Sequence, residues 1–176
     1  MEPFAKADQG IVAILAVEFG KGFHHIREVA ESPGIANVAE DGIREIEAIV
    51  AKMHGIMLPF PAPHIAVWEG YESAARDAAD AARAMSHARG TVEKDAVPHA
   101  STLPLLRIGA AYGHCLLQRD AKGRIANLPG ELLKTSQSLC RKARQAKLTL
   151  LATDEFVVAS GLPGFALFEH GIQTLQ

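Results

Sequence analysis

Eight histidines, two cysteines and a glycine-bracketed lysine are the side chains that first invite chemistry. The histidines do not make a metal centre by spacing. His24 and His25 are adjacent, and neighbours on a regular element point apart. His54, His64, His87, His99, His114 and His170 show no H-x-x-x-H pattern, and Cys115 and Cys140 show no C-x-x-C pattern. They read as surface or satisfied core histidines. Cys115 follows His114, and a thiol beside an imidazole could be a nucleophile and its base. On a strand, however, consecutive side chains face opposite sides. Gly20-Lys21-Gly22 lacks the spacing and the Lys-Ser/Thr ending of a phosphate loop and reads as a turn. One further pair, Glu18 with His64, would give an acid and a base if their strands were neighbours.

These residues need elements to position them. Ile11-Val12-Ala13-Ile14-Leu15-Ala16-Val17 is a continuous apolar run, as expected of a strand buried on both faces. Met1 to Gln9 reads as a frayed leader, Phe23 to Ala30 as a short helix and Ser32-Pro33-Gly34 as a turn. Asp41 to Met53 carries an apolar stripe of Ile43, Ile46, Val50 and Met53, which predicts a helix stopped by Gly55. Ile56 to Phe60 and His64 to Glu69 read as strands, joined irregularly through Pro61-Ala62-Pro63. Met53, Met57 and Trp68 read as core.

Tyr71 to Ala88 is an alanine-rich helix ended by Gly90, and Thr91 to Thr102 a loop. Leu105 to His114 reads as a buried strand that turns at Gly113 into Cys115-Leu116-Leu117-Gln118, and Asp120 to Arg124 as another turn. A helix from Gly130 to Ala146 follows, then a strand from Leu148 to Ala152, a cap-like Thr153-Asp154-Glu155-Phe156 and a short strand from Phe165 to His170. Gly10 to Ala88 carries a strand–helix–strand–strand–helix order, and the second half is expected to follow a similar one.

A chain of 176 residues with 48% hydrophobic and 22% charged residues fits one globular domain, 1–176. A net charge of -2 argues against nucleic acid or an anionic membrane as partner. The basic run Arg141 to Lys147 reads as a solvated helix face. Two cysteines are too few for a disulfide framework, and no stretch reads as a signal peptide or a membrane span. The expected setting is therefore cytoplasmic.

In order and local strings the chain resembles the class III nucleotidyl cyclase catalytic domain, from about Gly10 to Gly161. The strings are Ile14-Leu15-Ala16, Gly22-Phe23, His54-Gly55, Ala66-Val67-Trp68, Arg107-Ile108-Gly109 to Gly113, Gly130-Glu131 and Leu150 to Phe156. The resemblance implies an α/β (α+β), ferredoxin-like fold, a mainly antiparallel sheet with helices packed on it. It also implies that the chemistry is gone. The two metal aspartates align with Val17 and Ala62, where no hard oxygen ligand remains for a divalent ion. Glu18 would reach the metal face only through a bulge. The base-reading lysine aligns with Leu58 and its acidic partner near Asn127. The transition-state asparagine and arginine align with Lys134 and Ser138. Losing one such donor costs on the order of a hundredfold in rate.

The expectation is a degenerate member with no catalytic residues, no metal and no cofactor. It would act as a homodimer or as a regulatory partner of another protein, through apolar Leu58, Pro59, Phe60 and Pro61. Nucleotide binding is not expected. The alternatives are a nucleotide or small-ligand sensor using Lys134, Arg107 and His64, and a cyclase with a site rebuilt around Glu18 and His64.

Overall fold

The computed structural model describes residues 6–19, 33–70, 72–95, 106–146, 148–161, 165–167 and 172–175. The elements run β1 (Lys6–Phe19), α1 (Pro33–Lys52), β2 (Ile56–Met57), β3 (His64–Glu69), α2 (Glu72–Asp95), β4 (Leu106–Arg119) and β5 (Ile125–Asn127). They continue with α3 (Glu131–Ala146), β6 (Leu150–Thr153), α4 (Asp154–Ser160), β7 (Phe165–Leu167) and β8 (Ile172–Leu175). The sheet order is β2-β3-β1-β4-β6-β8-β7, with β5 paired to β4. The β4–β6 pair is parallel and the other pairs are antiparallel. The fold class is the one expected.

The apolar run of β1 is wholly buried because alternate residues serve two layers. Ala13, Leu15 and Val17 join Ala66, Trp68, Ile108 and Ala110 beneath α1, α2 and α4. Val12, Ile14 and Ala16 join Ile65, Val67, Leu58 and Leu117 on the side of α3. The alanines of α2 at 74, 75, 78, 79, 81 and 82 are buried, so small side chains let that helix lie close to its neighbours. On the other side, α3 approaches through Gly109. A Cβ there would stand 2.1 Å from the Ser136 carbonyl oxygen and 2.3 Å from the Cys140 nitrogen. The Ser136 hydroxyl donates to the Gly109 carbonyl at 2.8 Å and fixes that approach. The Arg-Ile-Gly string is thus a packing requirement at its third residue.

Several expected boundaries move. The chain does not turn at Gly113: β4 runs on to Arg119, paired residue for residue with β1 from Phe19↔Leu106 to Lys6↔Arg119. The same pairing makes Lys6 to Gln9 part of β1 and not a frayed leader. The reversal comes at Asp120, whose carboxylate accepts the backbone N–H groups of Lys122 and Arg124. Gly123 there takes φ +77°. The hairpin therefore precedes α3, and the second half runs strand–strand–helix–strand–helix–strand–strand.

Helix α1 begins at Pro33 and not at Asp41, absorbing most of the expected turn; proline suits a first helical position. At its other end His54, not Gly55, takes the left-handed conformation (φ +64°). The N–H of Gly55 reaches back to the Val50 carbonyl at 2.8 Å, and that of His54 to the Ala51 carbonyl at 3.1 Å. Gly55 is needed for another reason: a Cβ there would lie 2.5 Å from the Trp68 indole.

Strand β2 stops at Met57 instead of Phe60, because Pro59 and Pro61 have no N–H for a ladder. Helix α2 passes through Gly90 to Asp95, and residues 96–102 of the expected loop lie outside the described residues; one glycine costs only about 1 kcal/mol in a helix. Strand β6 runs Leu150–Thr153, slightly later than expected. Thr153 caps α4, its hydroxyl accepting the Phe156 N–H at 3.3 Å. The Gly22-Phe23 pair, the Gly20-Lys21-Gly22 turn, the Phe23 to Ala30 helix, His24, His25, His99 and His170 lie outside the described residues.

Candidate functional site

Val17 is the last buried residue of the β1 run. It stands opposite His64 of β3 and Ile108 of β4, and all three face the α1–α2 side of the sheet. It belongs to the hydrophobic cluster that holds Leu15, Ala66, Ile108 and Leu106. Glu18 faces the other side. The β1–β4 register runs without interruption through Val17↔Ile108, Glu18↔Arg107 and Phe19↔Leu106, so no bulge carries Glu18 across. Its carboxylate accepts a hydrogen bond from Arg144 of α3 at 2.9 Å.

Glu18 and His64 are therefore on opposite faces and make no acid–base pair. His64 is half-buried, and burial lowers its pKa, partly opposed by the Glu47 carboxylate. The imidazole is kept neutral near pH 7.

The β2–β3 connection holds the next positions. Leu58 is 4% exposed, in the apolar cluster on the α3 side. Its N–H donates to the Ile65 carbonyl at 2.9 Å, and the Phe60 N–H donates to the Leu58 carbonyl at 2.8 Å. Leu58 is thus core and not part of an exposed apolar patch, whereas Pro59 and Pro61 are exposed. Ala62 is exposed and precedes Pro63 through a cis peptide bond. Its methyl group offers a metal nothing.

Around α3, Lys134 is exposed and pairs with Glu131 at 2.9 Å, one turn away. Ser138 is half-buried. Asn127 donates its side-chain N–H to the Gln118 amide oxygen at 2.8 Å. Arg107 is 6% exposed, and its guanidinium donates to the Leu148 carbonyl at 2.8 Å. Lys134, Arg107 and His64 do not converge: one lies in solvent, one beneath α3 and one on the opposite face.

The two cysteines are equally unsuited to attack. His114 is exposed while Cys115 points into the core, and burial pushes the Cys115 thiol up. The Cys140 thiol is pushed up to about 12, first by burial and then by the Glu18 carboxylate. Among the described residues no group of three or more His, Cys, Asp and Glu side chains could hold a metal ion. Among them, too, no helix is long and apolar enough to cross a membrane.

One constellation escapes sequence reasoning. The Arg119 guanidinium bonds Asp8 at 2.9 Å, Glu69 and the Gly123 carbonyl at 3.2 Å. It ties the ends of β1, β3 and β4 to the β4–β5 turn. Positions 8, 69 and 119 share no local pattern that could announce this. Beside it lies a groove between β2 and β5, a hollow of about 440 Å³ bordered by Met57, Pro59, Arg124 and Ala126 adjoining one of about 260 Å³. Its charges are internally matched, with Arg124 at 2.7 Å from Asp120.

No protein-family model matches the sequence, and no curated protein matches it. Solved structures do. The chain is similar to a bacterial light-regulated adenylyl cyclase, with a TM-score of 0.77 and 14% identity, over 98% of this chain and 53% of that one. It is similar to an adenylate/guanylate cyclase/hydrolase from Silicibacter pomeroyi, with a TM-score of 0.72 and 16% identity, over 97% of this chain and 99% of that one. It is similar to the adenylyl cyclase CyaB from P. aeruginosa, with a TM-score of 0.71 and 15% identity, over 96% and 93%.

Proposed function

We propose that this chain, which has the fold of class III adenylyl and guanylyl cyclase catalytic domains, is a single domain that does not cyclise nucleotides and acts by association. The observation that carries the reading is Val17. At the point of β1 where the resemblance calls for a metal aspartate, the chain has a wholly buried aliphatic residue packed among others. Two-metal phosphoryl chemistry needs anionic oxygens to hold its ions. Val17 and Ala62 supply none, and the adjacent carboxylate of Glu18 is engaged by Arg144 on the opposite face.

Association would use the apolar rim beside the β2–β3 connection. Pro59 and Pro61 are exposed there, and Phe60, Leu132 and Leu133 are only partly buried against the core. Such a rim is stabilised when a partner removes it from water. The partner is a second copy or another protein with a matching apolar face.

The sensor reading needs polar groups that meet. Lys134, Arg107 and His64 lie apart, so association is the better-supported reading. The test pairs two measurements on purified protein. Incubation with ATP or GTP and manganese should yield no cyclic product, and sedimentation velocity should give a dimer that Phe60→Glu disperses. Cyclic product above that of a boiled control would overturn the reading. So would a monomer that also finds no partner in cross-linking from the native source.

A further inference from the structure

We infer that Arg119 is a latch: it fastens the tip of the β4–β5 hairpin to the ends of β1 and β3, and so sets the width of the groove beside the association rim. The inference rests on the reading above, because exposed Pro59 belongs both to that rim and to the border of the groove.

The hairpin is weakly tied by its own ladder. Strand β5 meets β4 at two paired positions, Gln118↔Asn127 and Arg119↔Ile125, with a register shift between them. Its base is anchored, since Ile125 and Leu128 are buried in the cluster on the α3 side. Its tip is exposed from 121 to 124, and the Asp120–Arg124 bonds stay within the turn. Arg119 reaches from the hairpin to other strands. Its guanidinium takes Asp8 of β1 with two nitrogens, at 2.9 and 3.4 Å, and Glu69 of β3 with two, one of them at 3.2 Å. It also donates to the Gly123 carbonyl at the tip, at 3.2 Å. A planar guanidinium can hold two carboxylates in this forked way, which an ammonium cannot.

The groove follows from that hold. Ile56 and Pro59 stand on one side of it, Arg124 and Ala126 on the other. Glu69, Arg119 and Gly123 border the adjoining hollow. Releasing the latch would let the second wall swing about its buried base. A partner packing beside Pro59 meets that wall too, and a wall already fixed in the free protein costs no ordering on binding. The latch is open to salt: the Arg119 side chain is 15% exposed, but those of Asp8 and Glu69 are 33% and 45% exposed.

The test measures the groove. Spin labels on Lys52→Cys and Lys122→Cys, both at exposed positions, report the distance from the end of α1 to the hairpin tip by pulsed electron resonance; Cys115 and Cys140 are buried. The labelled full chain is diluted into unlabelled protein, so that the distances are those within a chain. At low salt the otherwise unmodified protein should give one narrow distance distribution. It should broaden in about 1 M sodium chloride, where the screening length falls to about 3 Å. With Arg119→Gln added, the distribution should be broad at both salt concentrations. A narrow distribution in folded Arg119→Gln, or a broad one in the unmodified protein at low salt, would overturn the latch. If Arg119→Gln does not fold, Glu69→Gln with the same labels decides by the same criterion. Sedimentation velocity on unlabelled protein reads the other half: Arg119→Gln should weaken the dimer by about tenfold. Broadening with undiminished association would overturn the latch's part in association. An unmodified protein that finds no partner sinks the association reading instead, and the distances alone then judge the latch.

Discussion

A methyl group added at Gly109 would press on backbone atoms of α3, not on a side chain that could swing away. Gly109→Ala should therefore destabilise the protein by about 1–3 kcal/mol, as overpacking does, seen as a lower urea midpoint. Cys140 lies in the same seam. A thiol with a raised pKa stabilises the fold below its unfolded value and loses that contribution as pH rises towards the folded value of about 12. Stability should fall above about pH 9 as the unfolded chain begins to ionise, and Cys140→Ala should flatten that alkaline limb in thermal melts.

Arg119 acts at the other end of the pH scale. Its hydrogen bond holds Asp8 below the usual carboxylate range. That stabilisation is present above the unfolded aspartate value and lost as pH falls through the folded one. Arg119→Gln should show a smaller loss of melting temperature between about pH 5 and pH 2 than the unmodified protein. An unchanged acid limb would remove Arg119 from the account.

At the scale of elements, the clearest signals were local. The apolar run of β1, the stripe of α1, the alanines of α2 and the cap at Thr153 each announce their element with a few neighbouring residues. His64–Glu69 forms the expected strand. What local pattern hides is tertiary. Gly113 looks like a turn until β1 supplies a partner for all fourteen residues of β4. Gly90 looks like a stop because its cost is visible and the helical context that outweighs it is not.

The site was legible in the same uneven way. The family pattern pointed to Val17, Leu58 and Ala62, and two of these prove to be core. The partner of Glu18 is Arg144, 126 positions along the chain, and no spacing rule reaches that far. Leu58→Lys tests the burial of β2's continuation directly. An ammonium in that cluster should lower stability markedly at pH 7 and less at pH 10, where a desolvated lysine is neutral. A pH-independent effect would mean that the side chain reaches water.

At the scale of the whole molecule, two helical layers, an eight-stranded sheet and the β4–β5 hairpin reproduce a scaffold shared with enzymes at 14–16% identity. Hydrophobic alternation, close glycine approach and caps suffice to preserve such a frame. None of them depends on the side chains that grip a metal, so fold and chemistry can part company. On the function proposed above, such a frame would act through its surfaces.

The most direct measurement is electron paramagnetic resonance of manganese(II) titrated into the purified protein. The account predicts a free-ion signal as large as in buffer, because Val17 and Ala62 give the ion no anionic seat. A saturable loss of that signal, restored in a folded Val17→Leu or Ala62→Leu variant, would contradict it.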